Sequence, residues 1–139
     1  MASIARVQAA LDDRSALPVL ATRLLGLFAL QGIVVLAAFA ALGPETVSSD
    51  LPLGMQLDPR HAVLHLFVGV TALVTGFAMP TLSRMYLAVF GVTYVALAFF
   101  GTFTSIDFGM ELWLPENTLH WVLGLGSVAL AWWTRPTSA

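Results

Sequence analysis

The chain alternates long apolar runs with connections and terminal segments that carry most of its charged residues. Four runs reach the ~20 residues that a helix needs to cross a hydrocarbon core, and they cover residues of about 20–42, 61–79, 83–104 and 117–133. Lipid offers the backbone no hydrogen bonds, so spans of this kind fold as helices. The pattern predicts an all-α integral membrane four-helix bundle at residues 20–139, behind a leader at residues 1–19.

The leader has its own weak pattern. Within residues 3–14, Ile4, Val7 and Leu11 share one helical face. This spacing predicts a short amphipathic cytoplasmic helix that lies on the membrane or on a partner. A solvated leader is the alternative.

Composition supports a lipid environment and narrows the chemistry. The chain is 58% hydrophobic and 10% charged, against the roughly 25% charged residues of soluble domains. A small soluble domain leaves too much surface exposed to hide so many apolar side chains. The absence of Cys excludes disulfides, thiolate metal sites and covalently attached c-type haem. No basic patch or nucleic-acid motif is present, so the predicted partners are the lipid bilayer and other membrane subunits.

The charges predict an orientation. The N-terminal segment, the second connection and the C-terminus hold five of the six arginines and two aspartates. The first and third connections hold the other six acidic residues and only Arg60. By the positive-inside rule, both termini are expected in the cytoplasm.

The second and fourth runs repeat one motif, a His above a stripe of small residues at i, i+4, i+7 and i+11. The matching residues are His65, Gly69, Ala72 and Gly76 in the second run, and His120, Gly124, Ser127 and Ala131 in the fourth. Small stripes let membrane helices approach closely. We therefore expect two parallel-related two-helix repeats, with the two stripes packed against each other and both histidines at the same depth near the outer surface.

These motifs carry a resemblance that covers about residues 20–134. Asn117, His120 and Gly124, the pair His65 and Gly69, and the run Gly91-Val92-Thr93-Tyr94 resemble a family of small bacterial four-helix integral membrane proteins, catalogued as a domain of unknown function. The chain departs from that pattern at Ala62, where the family would place Asn. The resemblance implies a fold and a place in the bacterial inner membrane, and no established activity.

The histidines admit three interpretations. His61 lies four residues before His65, and Glu116 four residues before His120, so each helix offers two polar groups one turn apart. The histidines could fix helix register through hydrogen bonds of about 0.5–2 kcal/mol. His61, His65, Glu116 and His120 could instead bind a metal such as zinc. Finally, His65 and His120 could ligate a tetrapyrrole, either haem b or bacteriochlorophyll.

Other chemistry has little support in the sequence. No acidic or basic residue lies mid-span, which argues against a proton-coupled transporter. No nucleophile elbow, pair of intramembrane acids or phosphate loop is present, so no enzyme is expected. Gln31, mid-span in the first run, is expected to bond another helix or a partner.

The resulting prediction is a non-catalytic subunit, without a cofactor, that scaffolds a larger bacterial membrane complex. A respiratory or photosynthetic complex, such as a reaction centre, is the expected host. The phenylalanines expected on its outward faces are Phe28, Phe39, Phe67, Phe99, Phe100 and Phe103. Binding of a tetrapyrrole or a metal through His65 and His120 is the alternative function.

Overall fold

The structure is a computed structural model that describes residues 16–43, 58–104, 106, 108–110 and 114–134. Within these ranges the chain forms four helices and no strand. They are α1 (Ala16–Leu42), α2 (Pro59–Ala78), α3 (Ser83–Phe103) and α4 (Leu114–Trp133). The predicted all-α four-helix bundle is confirmed, with helix ends within four residues of the expected ones. The amphipathic helix predicted at residues 3–14 lies outside the described residues.

Two of the helices have irregular ends or interruptions. Helix α1 comprises two segments, Ala16–Leu25 and Leu27–Leu42, which meet at Gly26. There the Gly26 N–H donates to the Arg23 carbonyl oxygen at 3.0 Å, a tightened turn. Helix α3 follows a single 3-10 turn, Pro80–Leu82, which joins it closely to α2.

The apolar character of the bundle marks it as a membrane protein. By length and composition, Ala16–Leu42, Pro59–Ala78 and Pro80–Phe103 can each cross a membrane. Helix α4 is not among these three, because its first two turns carry polar residues. Large apolar side chains cover the outside, and Phe67 and Phe103 are 65% and 67% exposed. Such a surface suits lipid and not water.

Helices α1 and α2 form an antiparallel hairpin whose backbones touch. A Cβ added at Gly69 would collide with the backbone of Ala29, and one added at Gly32 would lie 2.7 Å from the Ala62 carbonyl oxygen. A later residue of α1 thus contacts an earlier residue of α2, which shows that the two helices run antiparallel. Glycine is required at these positions because the neighbour is backbone, which cannot move aside as a flexible side chain can.

Helices α3 and α4 form a second hairpin of the same kind. A Cβ added at Gly91 would lie 2.7 Å from the Gly124 carbonyl oxygen, and one added at Gly124 would lie 2.8 Å from the Val95 nitrogen. The Trp121 indole Nε1 donates to Thr102 Oγ1 at 3.2 Å. In the second repeat, too, the two helices make backbone contact at glycine residues.

The predicted contact between the two small stripes is wrong for their glycines. Gly69 and Gly76 meet α1, and Gly124 meets α3. Within each hairpin a glycine lets the two backbones touch: Gly69 lies against Ala29, and Gly91 lies against Gly124. The alanines of the stripes reach the shared core, where Ala72 and Ala131 pack with Leu25, Leu87, Phe90 and Tyr94.

Polar bonds join the two hairpins inside the bundle. Tyr86 Oη donates to the Val68 carbonyl oxygen at 2.7 Å and lies 3.1 Å from Thr71 Oγ1. Thr22 Oγ1 donates to the Ser83 carbonyl oxygen at 3.3 Å. These bonds connect α2 and α1 to α3, and they help to fix the register between the hairpins.

Both ends of α2 are stabilised by identifiable groups. At its start, Pro59 occupies the first turn and the Asp58 carboxylate accepts from the Arg60 and His61 N–H groups at 2.7 and 2.9 Å. At its end, Pro80 has no N–H to give the Gly76 carbonyl oxygen. Arg23 Nε of α1 donates to that oxygen at 2.9 Å.

Candidate functional site: a buried histidine cluster

The starts of α2 and α4 place three histidines at one end of the bundle. The Asp58 cap fixes the first turn of α2. Because His61 and His65 are four residues apart in this helix, their side chains lie on one face. On α4, Glu116 and His120 are likewise one turn apart, and both are buried. The fold thus brings the polar residues of α2 and α4 together between the two hairpins.

The imidazole rings lie in direct contact. The ring centroids of His61 and His65 are 4.4 Å apart, and those of His61 and His120 are 5.5 Å apart. One ring nitrogen from each of the three histidines lies within 4.8 Å of the other two. Their exposed fractions are 1% for His61, 7% for His65 and 3% for His120.

Aromatic rings and a small cavity surround this cluster. The Phe28 ring of α1 lies 4.6 Å from the His65 ring, and Tyr94 of α3 meets His120 edge-on at 5.1 Å. The cavity has a volume of about 170 Å³. It is lined by Phe28, Gln31, His61, His65, Tyr94, Glu116, Leu119, His120 and Leu123.

Several polar atoms of the site have no hydrogen bond. Among the described residues, neither ring nitrogen of His61 or His65 has a hydrogen-bonding partner, and the same holds for His120 Nδ1 and the Tyr94 hydroxyl. A buried polar group without a partner costs about 1–3 kcal/mol. Native proteins keep few such groups, and clusters of them point to a bound ion or water.

The cluster has the dimensions of a metal site. A tetrahedral ion with metal–nitrogen bonds of about 2.0–2.1 Å holds its ligand nitrogens about 3.3 Å apart. Side-chain torsions need to bring the three nitrogens together by up to about 1.5 Å from their separation of at most 4.8 Å. The Glu116 carboxylate lines the same cavity as the three histidines.

The predicted site residues and the observed ones agree in part. His61, His65, His120 and Glu116 line one cavity, although Glu116 does not join the group of ligand atoms within 4.8 Å. Gln31 lines the same cavity, and its bond to another helix or a partner stays a prediction. Phe28, expected on an outward face, packs instead on His65, so that expectation is wrong.

Tyr94 was not predicted to lie at this site. The sequence marks it only as part of the resemblance and as one of a few polar residues within the spans, because a single Tyr in an apolar run does not reveal which way it points. A signal does exist in its spacing to Phe90 and Leu87, at i−4 and i−7, which places it on the buried face of α3.

Comparison with known protein families identifies one match. The family model described as Domain of unknown function (DUF4383) matches residues 19–133. The chain belongs to this family. No curated protein and no solved structure matches the chain.

Proposed function

We propose that this protein is an integral membrane protein that binds one transition-metal ion of the zinc class through His61, His65 and His120. The observation that carries the proposal is the convergence of three buried imidazoles whose nitrogens lie within 4.8 Å of one another. Imidazole is a ligand that suits zinc and its neighbours in the first transition row. A bound ion would use nitrogens that otherwise remain buried without partners.

Packing alone explains the cluster less well. Histidines that fix helix register do so by hydrogen bonds to a neighbouring helix. In the described part of the chain, His61 and His65 form no such bond through either ring nitrogen. Buried imidazoles without hydrogen bonds would then lower the stability of the bundle.

A tetrapyrrole fits this geometry less well than an ion. The cavity of about 170 Å³ is smaller than the roughly 300–1,000 Å³ pockets that hold drug-sized ligands. The rings of Phe28, His61, His65, Tyr94 and His120 pack on one another at centroid distances of 4.4–5.5 Å. Ligation of a macrocycle by His65 and His120 would require the two hairpins to separate.

The cellular setting is part of the proposal. The arginine distribution supports the bacterial inner membrane with both termini in the cytoplasm, an arrangement that requires α4 to cross as the fourth span. The scaffold role in a respiratory or photosynthetic complex, without catalysis, stays a prediction. The exposed apolar faces fit lipid as well as a neighbouring subunit.

Metal content tests the proposed function directly. The protein, purified in mild detergent and exposed to zinc, should retain about one ion per chain after desalting. The matched variants are His65→Ala with His120→Ala, which remove two ligands, and Thr93→Val, which changes an exposed polar side chain that bonds its own helix at 2.9 Å. Only the histidine variants should lose the ion.

Thermal stability gives a second measurement on the same samples. A ligand present at 100 times its Kd stabilises the folded state by about 2.7 kcal/mol. A chelator should therefore lower the unfolding temperature of the wild type and leave that of the histidine variants unchanged. Retention of zinc by the double variant, or no retention by the wild type, would refute the metal site.

A further inference from the structure

We propose that the ion held by His61, His65 and His120 keeps one coordination position open towards the cavity, where water or a small anion binds beside the Tyr94 hydroxyl. This inference rests on the proposed metal function and extends it. It makes the site an exchangeable one that can bind a small anionic ligand.

The number of protein ligands supports an open position. Structural zinc sites are closed by four protein ligands, whereas sites with three keep the fourth position for water or another small ligand. In the described ranges, the group of potential ligand atoms within 4.8 Å contains three histidines and no further His, Cys, Asp or Glu.

The cavity has room for this additional ligand. A water molecule needs about 10–15 Å³ of such a volume, and the cavity measures about 170 Å³. All three histidines line it, so an ion among their nitrogens borders this space. A volume of this size admits water, azide or formate.

Tyr94 supplies the specific contact. Its side chain is 1% exposed and lines the cavity, and its ring lies 5.1 Å from the ring of His120. Within the described structure, its hydroxyl has no hydrogen-bonding partner. A metal-bound anion would accept a hydrogen bond from this hydroxyl, so Tyr94 is a positioning residue for the open coordination position.

Cobalt(II) in place of zinc makes the coordination sphere visible. The full-length protein in detergent is loaded with cobalt(II), and its visible absorption is followed during a titration with azide. We expect azide to change the spectrum along a saturable curve, because it binds in the fourth position. In Tyr94→Phe, loss of one hydrogen bond should weaken azide binding about fivefold.

Tyr86→Phe is the matched control. The Tyr86 hydroxyl already bonds the Val68 carbonyl oxygen at 2.7 Å, and Tyr86 does not line the cavity. Removal of this hydroxyl should leave azide affinity unchanged, although it removes a bond between hairpins. The comparison separates contact with the anion from a general effect of losing a tyrosine hydroxyl.

The outcomes separate this inference from the function on which it rests. If cobalt(II) does not bind, the metal site and the open position both fail. If cobalt(II) binds and azide leaves the spectrum unchanged, the metal site stands and the open position is refuted. If azide binds equally well to the wild type and Tyr94→Phe, the proposed role of Tyr94 is refuted.

Discussion

Substitution of Gly69 by Ala tests how closely α1 and α2 approach. The added Cβ would collide with the nitrogen and Cα of Ala29 and with the carbonyl carbon of Phe28. These are backbone atoms of a helix that is itself packed on α2, so the two helices must separate to admit the methyl group.

The magnitude follows from two opposing effects. Alanine is favoured over glycine by up to about 1 kcal/mol within a helix, while an extra methyl group in a closely packed interface typically costs about 1–3 kcal/mol. Because the collision involves backbone on both sides, we expect the packing cost to prevail. The free energy of unfolding should fall by about 1–2 kcal/mol.

Gly126→Ala supplies the control within the same protein. Gly126 lies in α4, and a Cβ added there meets nothing within 4 Å. This substitution retains the helix preference without the collision, so stability should stay the same or rise by less than about 1 kcal/mol.

Reversible unfolding in mixed detergent micelles, titrated with dodecyl sulfate and followed by circular dichroism, measures both variants. Zinc retention should also decline in Gly69→Ala, because α1 carries Phe28, which packs on His65 at 4.6 Å. Equal stability of Gly69→Ala and Gly126→Ala would refute the close backbone contact.

Two further predictions use the same unfolding assay. Arg23→Met should lower the free energy of unfolding by about 1.5–3 kcal/mol, since the Gly76 carbonyl oxygen loses a charged donor; a variant as stable as the wild type would show that this bond contributes nothing. Asp58→Ala should cost about 0.5–2 kcal/mol and Asp58→Asn only a few tenths, because Asn retains an oxygen that caps the helix; an equal loss in both would assign the effect to charge instead of capping.

Much of the fold was predictable from the sequence because lipid constrains helices strongly. Run length locates the helices, together with Pro80 after α2 and with Pro59 and Pro115 in the first turns of α2 and α4. The i, i+4 spacing places His61 with His65 on one face. The sequence also shows a glycine in the middle of α1 and of α3, Gly32 and Gly91. It does not show which helix each of these glycines contacts.

The rotation of each helix about its axis was harder to predict. Residues 27–42 are apolar on nearly every side, so hydrophobicity does not distinguish the face towards lipid from the face towards the core. Phe28 was therefore expected on the outside, although it packs on His65. The contacts of Gly69 with α1 and of Gly124 with α3 depend on the same rotations.

The link between Arg23 and the carbonyl oxygen of Gly76 also bears on biogenesis. A proline at position 80 leaves that oxygen without its usual donor, and the donor that replaces it, Arg23, lies 53 residues before Gly76 in the chain. During translation, Arg23 emerges from the ribosome before Pro80, so the replacement donor is present before the Gly76 carbonyl oxygen needs it. A circular permutant that delivered α2 before α1 would reverse this order and expose the bare carbonyl to lipid during insertion.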